Sequence, residues 1–208
     1  MPVVDARQPT RPPLLAVGLL SAAVLAYEVL LMRLFAIAHW HHFAFMMISV
    51  ALLGYGASGT LLTLISSRSR RAMQTIFLTG AVGFGLASLL CFGAAQAIPF
   101  NALEVFWDPR QWGWLAAIHA LLCLPFLLAA GAIGAVLKYQ AYPLARIYAA
   151  DLAGAGLGAC LAAVVLFHLP PAAGLEVVGG AVHAFFGRYG PQRGDGLPRV
   201  PRATAEAG

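Results

Sequence analysis

Apolar runs of about twenty or more residues follow one another from Leu14 to His168, parted by short stretches where polar residues gather. Runs of that length suit a hydrocarbon core about 30 Å thick, which a helix of roughly 20 residues crosses. The pattern predicts helices over about 13–37, 43–65, 75–98, 113–137 and 146–168. Residues 169–187 are only weakly apolar, short for a span, and contain Glu176 and His183, so a sixth helix there stays open. Residues 1–12 read as a polar N-terminal segment and 188–208, rich in Gly, Pro and Arg, as a disordered basic tail. A cleaved signal competes for the first run, with Ser21, Ala22 and Ala23 mimicking a cleavage site. The run continues to about Ile37, beyond the 7–15 residues of such a segment, so a retained helix is the better reading.

Composition sharpens this into a fold class. The 208 residues are 61% hydrophobic and 10% charged, against about 25% charged in a soluble domain, and the mean hydropathy is +0.80. Such a chain cannot cover itself with a water-facing surface. It reads as an all-α, polytopic transmembrane bundle of five or six spanning helices, with the lipid bilayer as its partner. The arginines behind the net charge of +5 lie between apolar runs, which argues for topology signals and against a nucleic-acid patch. Arg7, Arg11, the Ser66-Ser67-Arg68-Ser69-Arg70-Arg71 loop, Lys138 and Arg146 fall on one side in alternation. The positive-inside rule makes that side, and the N-terminus, cytoplasmic. The His39–His42 turn and the loop carrying Glu104, Asp108 and Arg110 then face outward, the latter with Trp107, Trp112 and Trp114 as an interfacial belt.

Charged residues inside the runs are the candidate chemistry, because an ionisable group at membrane depth is expensive. Glu28 and Arg33 lie five apart, roughly 140° around a helix, so they do not share a face. Asp151 opens the fifth run, but helix-one geometry sets Arg33 near the opposite surface, and the two are not paired. Glu28 is either a hydrogen-bonded packing residue or a substrate or proton site facing a cavity. Gly54, Gly56 and Gly59 spell GxGxxG, yet they sit in a helical apolar pattern with no strand before them. With Gly154 and Gly158, they read as small residues that let helices approach closely in lipid, and Ala130 with Gly134 as a weaker pair. His39, His41 and His42 offer imidazoles, but Trp40 beside them favours an interfacial belt over a metal site. Cys91, Cys123 and Cys160 stand singly in apolar runs and form no CxxC. The Arg193-Gly194-Asp195-Gly196 stretch has no strand or helix around it and carries no nucleoside-loop reading. No nucleophile–base pair, cofactor loop or metal set stands in a credible context.

Two stretches carry a resemblance. SAAVLAYEVLLMRLFAIAHWHHFAFMMISVALLGYGASGT, with its Tyr27-Glu28 pair, Arg33-Leu34 and Gly-rich end, resembles the first hairpin of bacterial membrane-embedded spermidine-synthase-like proteins. RIYAADLAGAGLGACLAA resembles that family's Tyr-x-x-Asp-Leu-x-Gly-Ala-x-x-Gly helix, with Tyr148, Asp151, Leu152, Gly154, Ala155 and Gly158 in place. The resemblance covers most of 14–168. It implies a multi-helix membrane domain, somewhat like half of a major-facilitator transporter, in the cell (inner or plasma) membrane. It also implies a soluble aminopropyltransferase domain that binds decarboxylated S-adenosylmethionine and a polyamine. That domain's Gly-rich loop and catalytic aspartates have no counterpart here, so no catalytic residue carries over. Tyr27, Glu28, Arg33, Gly54, Gly56, Gly59, Asp151, Gly154 and Gly158 carry over as family-type positions. The change of texture after Pro170 predicts a truncated or frame-shifted C-terminus, which reading the coding DNA in other frames would test.

Three functions stay in view. The first is the membrane domain of a spermidine-synthase-like protein, partnered by a soluble aminopropyltransferase domain. The second is a small-molecule transporter or half-transporter that self-associates and couples through Glu28. The third is a membrane scaffold with no ligand.

Overall fold

The computed structural model describes residues 14–38, 41–64, 70–101, 103–139 and 143–188, with backbone alone for 38, 41–44, 70–73 and 139. Six helices follow in order: α1 (Leu14–Ala38), α2 (His41–Leu64), α3 (Arg70–Gln96), α4 (Arg110–Tyr139), α5 (Leu144–His168) and α6 (Pro171–Arg188). No strand occurs among the described residues. Five of the helices, α1 to α5, are long and apolar enough to cross a membrane. The chain is a multi-pass α-helical membrane protein.

Three helix starts lie outside the apolar pattern. α2, α3 and α4 start at His41, Arg70 and Arg110, earlier than the hydrophobic runs suggest. Polar first turns extend each helix beyond its apolar stretch. At α4 the Asp108 carboxylate accepts the Arg110 N–H at 2.9 Å, which satisfies one of the donors a helix start leaves unpaired. α6 opens with Pro171, whose missing N–H is no loss at a first helical position. It buries Gly174, Leu175, Gly179, Val182 and Phe186 along one face. That face meets α3 and α1, and this packing holds a segment whose composition alone decides little.

α1, α2, α4, α3 and α6 follow one another around a ring that closes where α6 returns to α1. α5 lies outside the ring against α1, touching α4 and α6 only marginally. Lipid tails are as apolar as leucine, so helices here associate through close packing and hydrogen bonds. The α1–α5 crossing shows the closest approach. A Cβ added at Gly154 would run into the Gly18 carbonyl, and one at Gly158 into the Ala22 carbonyl. α2 reaches α4 at Gly54, where an added Cβ would lie 2.7 Å from the Phe126 Cβ. α3 reaches α6 at Gly85, where it would lie 2.6 Å from the His183 amide nitrogen. Inside the ring, Tyr27 is fully buried, its ring 5.8 Å from those of both Phe84 and Phe126. Its hydroxyl donates to the Ser88 carbonyl at 3.2 Å, so the phenol meets no unpaired polar demand.

A polar lock orders the connection from α3 to α4. The buried Gln111 side chain accepts the Asn101 N–H at 3.1 Å and donates to a Glu104 carboxylate oxygen at 3.3 Å. The other Glu104 oxygen accepts from the Asn101 side-chain amide at 2.8 Å. Gln111→Ala removes both of its bonds while leaving the helix intact. The expected loss is about 1–2 kcal/mol of stability, read as a lower unfolding midpoint in a detergent titration. An unchanged midpoint would mean that water replaces the side chain at no cost.

Candidate functional site

A cavity of about 410 Å³ opens between α1, α2, α4 and α5, toward the end of the bundle where α2 and α4 finish and α5 begins. Its volume falls in the range of roughly 300–1,000 Å³ typical of small-molecule sites. Leu25, Leu62, Ile133 and Leu137 supply apolar wall, and Ser21, Tyr55, Ser58 and Asp151 supply the polar groups. Among the described residues, no lysine, arginine or histidine lines it.

Each polar group has a structural reason for its position. The close crossing at Gly154 and Gly158 brings α5 onto α1, which sets the Asp151 carboxylate against the Ser21 hydroxyl, from which it accepts a hydrogen bond. That hydroxyl also lies 3.0 Å from the Val17 carbonyl. A serine has one proton to donate, so the helix backbone competes with Asp151 for it. Asp151 also lines the cavity. On α2, Ser58 donates to the Tyr55 carbonyl at 2.8 Å. The Tyr55 ring stands edge-on to Phe126 at 6.1 Å, and Phe126 in turn packs on Tyr27.

Glu28 follows Ser21 by seven residues, which returns it to the same face of α1 about 10 Å further along. It is half-buried and, among the described residues, has no hydrogen bond or ion pair. The Tyr55 phenol lies within electrostatic reach of both Glu28 and Asp151. Glu28 thus lies further along the α1 face that carries Ser21, where Asp151 meets it. Arg33 is exposed, twelve residues beyond Ser21 and so about 18 Å away along α1. The structure leaves it out of this group.

The other predicted positions sort by geometry. Gly154, Gly158 and Gly54 sit at helix crossings, whereas a Cβ added at Gly56 or Gly59 would meet nothing within 4 Å. On a helix Gly56 points about 200° and Gly59 about 140° away from Gly54, so one spacing cannot place all three against α4. Gly59 instead lines the cavity, as do Ala130 and Gly134. The whole GxGxxG stretch is helical, which removes the dinucleotide-loop reading. His39, Trp40 and residues 189–208 lie outside the described residues, and His41 and His42 fall in the first turn of α2. Among the described residues no three His, Cys, Asp or Glu side chains gather as metal ligands. All three cysteines are free. Lys138 sits beside the cavity mouth, where its ammonium donates to the Leu62 carbonyl.

Ser21, Tyr55 and Ser58 escaped the sequence reading. Ser21 had a usable signal, since it lies seven residues before Glu28 on the same helical face. Tyr55 and Ser58 had none, because only the tertiary fold brings α2 opposite α5.

No protein-family model, curated protein or solved structure matches this chain. What fold and site define is a class: a multi-pass helical membrane protein with a largely apolar cavity between α1, α2, α4 and α5 into which a few polar side chains are set.

Proposed function

We propose that this chain is the membrane domain of a spermidine-synthase-like protein, and that its cavity holds a small cationic molecule. One observation carries the ligand reading. Asp151, Ser21, Tyr55 and Ser58 line one cavity, and among the described residues no basic side chain lines it. Carboxylate and hydroxyl oxygens suit an ammonium group, whose donors are strongest against charged acceptors. The polyamine identity of that cation rests on the resemblance alone. On the positive-inside reading, the domain lies in the cell membrane with the cavity end toward the cytoplasm.

The transporter reading shares this site, and Glu28 favours it. A half-buried acid without a hydrogen bond among the described residues, further along the same face of α1, is a second station for the ligand or a carrier for a proton. Glu28→Gln in reconstituted vesicles should then abolish amine uptake while amine binding at Asp151 persists. Uptake equal to wild type in a folded Glu28→Gln protein would reject the coupling role. Absence of amine binding by the wild-type protein would reject the ligand reading as a whole.

A further inference from the structure

The connection between α3 and α4 carries a surface that neither the cavity nor the bundle core uses. Phe106 is 89% and Trp107 86% exposed. Leu103, Trp112 and Trp114 are exposed beside them. Large apolar patches on a protein surface mark an interaction site. This one is not a loose loop turned outward. Glu104 N–H bonds to the Asn101 carbonyl at 3.1 Å, and Trp107 and Asp108 N–H both bond to the Glu104 carbonyl at 2.9 and 2.8 Å. The lock from Asn101 through Glu104 to buried Gln111 fixes the same turn from behind. Polar groups are thus used up within the turn, and the apolar side chains are what remains to face outward.

Position decides what covers them. α4 runs 30 residues from Arg110 to Tyr139, about 45 Å, well over the ~30 Å hydrocarbon core. Its ends must lie in the two headgroup layers. Trp112 at one end and Lys138 at the other are about 39 Å apart along the helix, close to the ~40 Å separation of the interfacial regions. Trp112 and Trp114, exposed in the first turns of α4, therefore lie at that boundary, and Phe106 and Trp107 precede them by a few residues. Tryptophan in particular prefers that boundary, with its ring in the apolar zone and its N–H among the headgroups.

We infer that residues 103–109 form an interfacial platform that lies in the plane of the bilayer and takes lipid as its partner, with Phe106 and Trp107 inserted at the headgroup–acyl boundary. The platform anchors the ends of α3 and α4 at a set depth. It does not project into water, and it is not a docking face for a soluble protein.

Tryptophan fluorescence tests this directly. The chain has four tryptophans, and a variant with Trp40, Trp112 and Trp114 replaced by Phe leaves Trp107 as the only one. After reconstitution into phosphatidylcholine vesicles, brominated lipid should remove most of the Trp107 emission. Bromines near the headgroup should quench more than bromines near the chain ends. No quenching by either lipid, or equal quenching by both, would overturn the inference, whether water or a protein covers the patch. Should the triple replacement fail to fold, Phe106→Cys in a Cys160→Ser background carries a spin label instead. Its label should be relaxed more by dissolved oxygen than by a water-soluble nickel chelate, and the reverse order would overturn the proposal.

Discussion

Gly158→Leu drives α5 off α1 and lowers stability by about 3 kcal/mol, whereas Gly56→Leu leaves stability nearly unchanged. Both changes put the same side chain into an apolar helix, so lipid solubility cannot separate them. Geometry does. At Gly158 the added Cβ meets the Ala22 carbonyl, a backbone atom that no rotamer change moves aside, and at Gly56 it meets nothing within 4 Å. Overpacking costs about 1–3 kcal/mol where side chains yield, and a backbone obstacle sets the expectation at the top of that range. α5 has little other hold on the bundle, since its contacts with α4 and α6 are marginal. The midpoint of unfolding in a detergent titration reads the difference. Equal midpoints for the two variants would mean that the α1–α5 crossing does not hold the fold.

Asp151→Asn weakens binding of a small amine by about 10- to 100-fold while the bundle stays folded. The carboxamide keeps the size of the side chain and can still accept from Ser21. What it loses is charge, and a hydrogen bond to a charged partner is worth about 1.5–3 kcal/mol, which converts to that fold-change. Ser21→Ala should follow in the same direction with a smaller effect, because it removes a neutral hydroxyl and leaves the carboxylate charge in place. Equilibrium binding to protein in nanodiscs checks both. Affinity of Asp151→Asn within twofold of wild type would place the amine elsewhere.

The bundle was legible because lipid imposes a simple rule on sequence. Each span needs a long apolar run, and the runs stand out between charged connections. Their polar first turns were less legible, since headgroup-level residues such as Arg70 and Arg110 look like loop. α6 depended on burying Gly174 and Gly179 against neighbours far away in sequence, which a local pattern cannot show. At the site, Glu28 and Asp151 declared themselves as acids in apolar surroundings. Their company did not. Ser21 meets Asp151 across 130 positions of chain, and Tyr55 reaches the cavity only because α2 packs on α4. The glycine stripes divide in the same way. Gly154 and Gly158 are four apart and share a face, about 40° apart, whereas Gly54, Gly56 and Gly59 spread around their helix.

The most direct test of a water-reached, cation-selecting cavity is the chemistry of a single thiol placed inside it. Gly59 lines the cavity and has open space beyond its Cα, so Gly59→Cys fits without displacing a neighbour. The change is made with Cys91, Cys123 and Cys160 replaced, in vesicles that expose the basic-loop side. The rate of modification is compared for a cationic and an anionic methanethiosulfonate of similar size. The cationic reagent should react faster, and Asp151→Asn should erase the preference. Failure of both reagents to react, or faster reaction by the anionic one, would contradict the account.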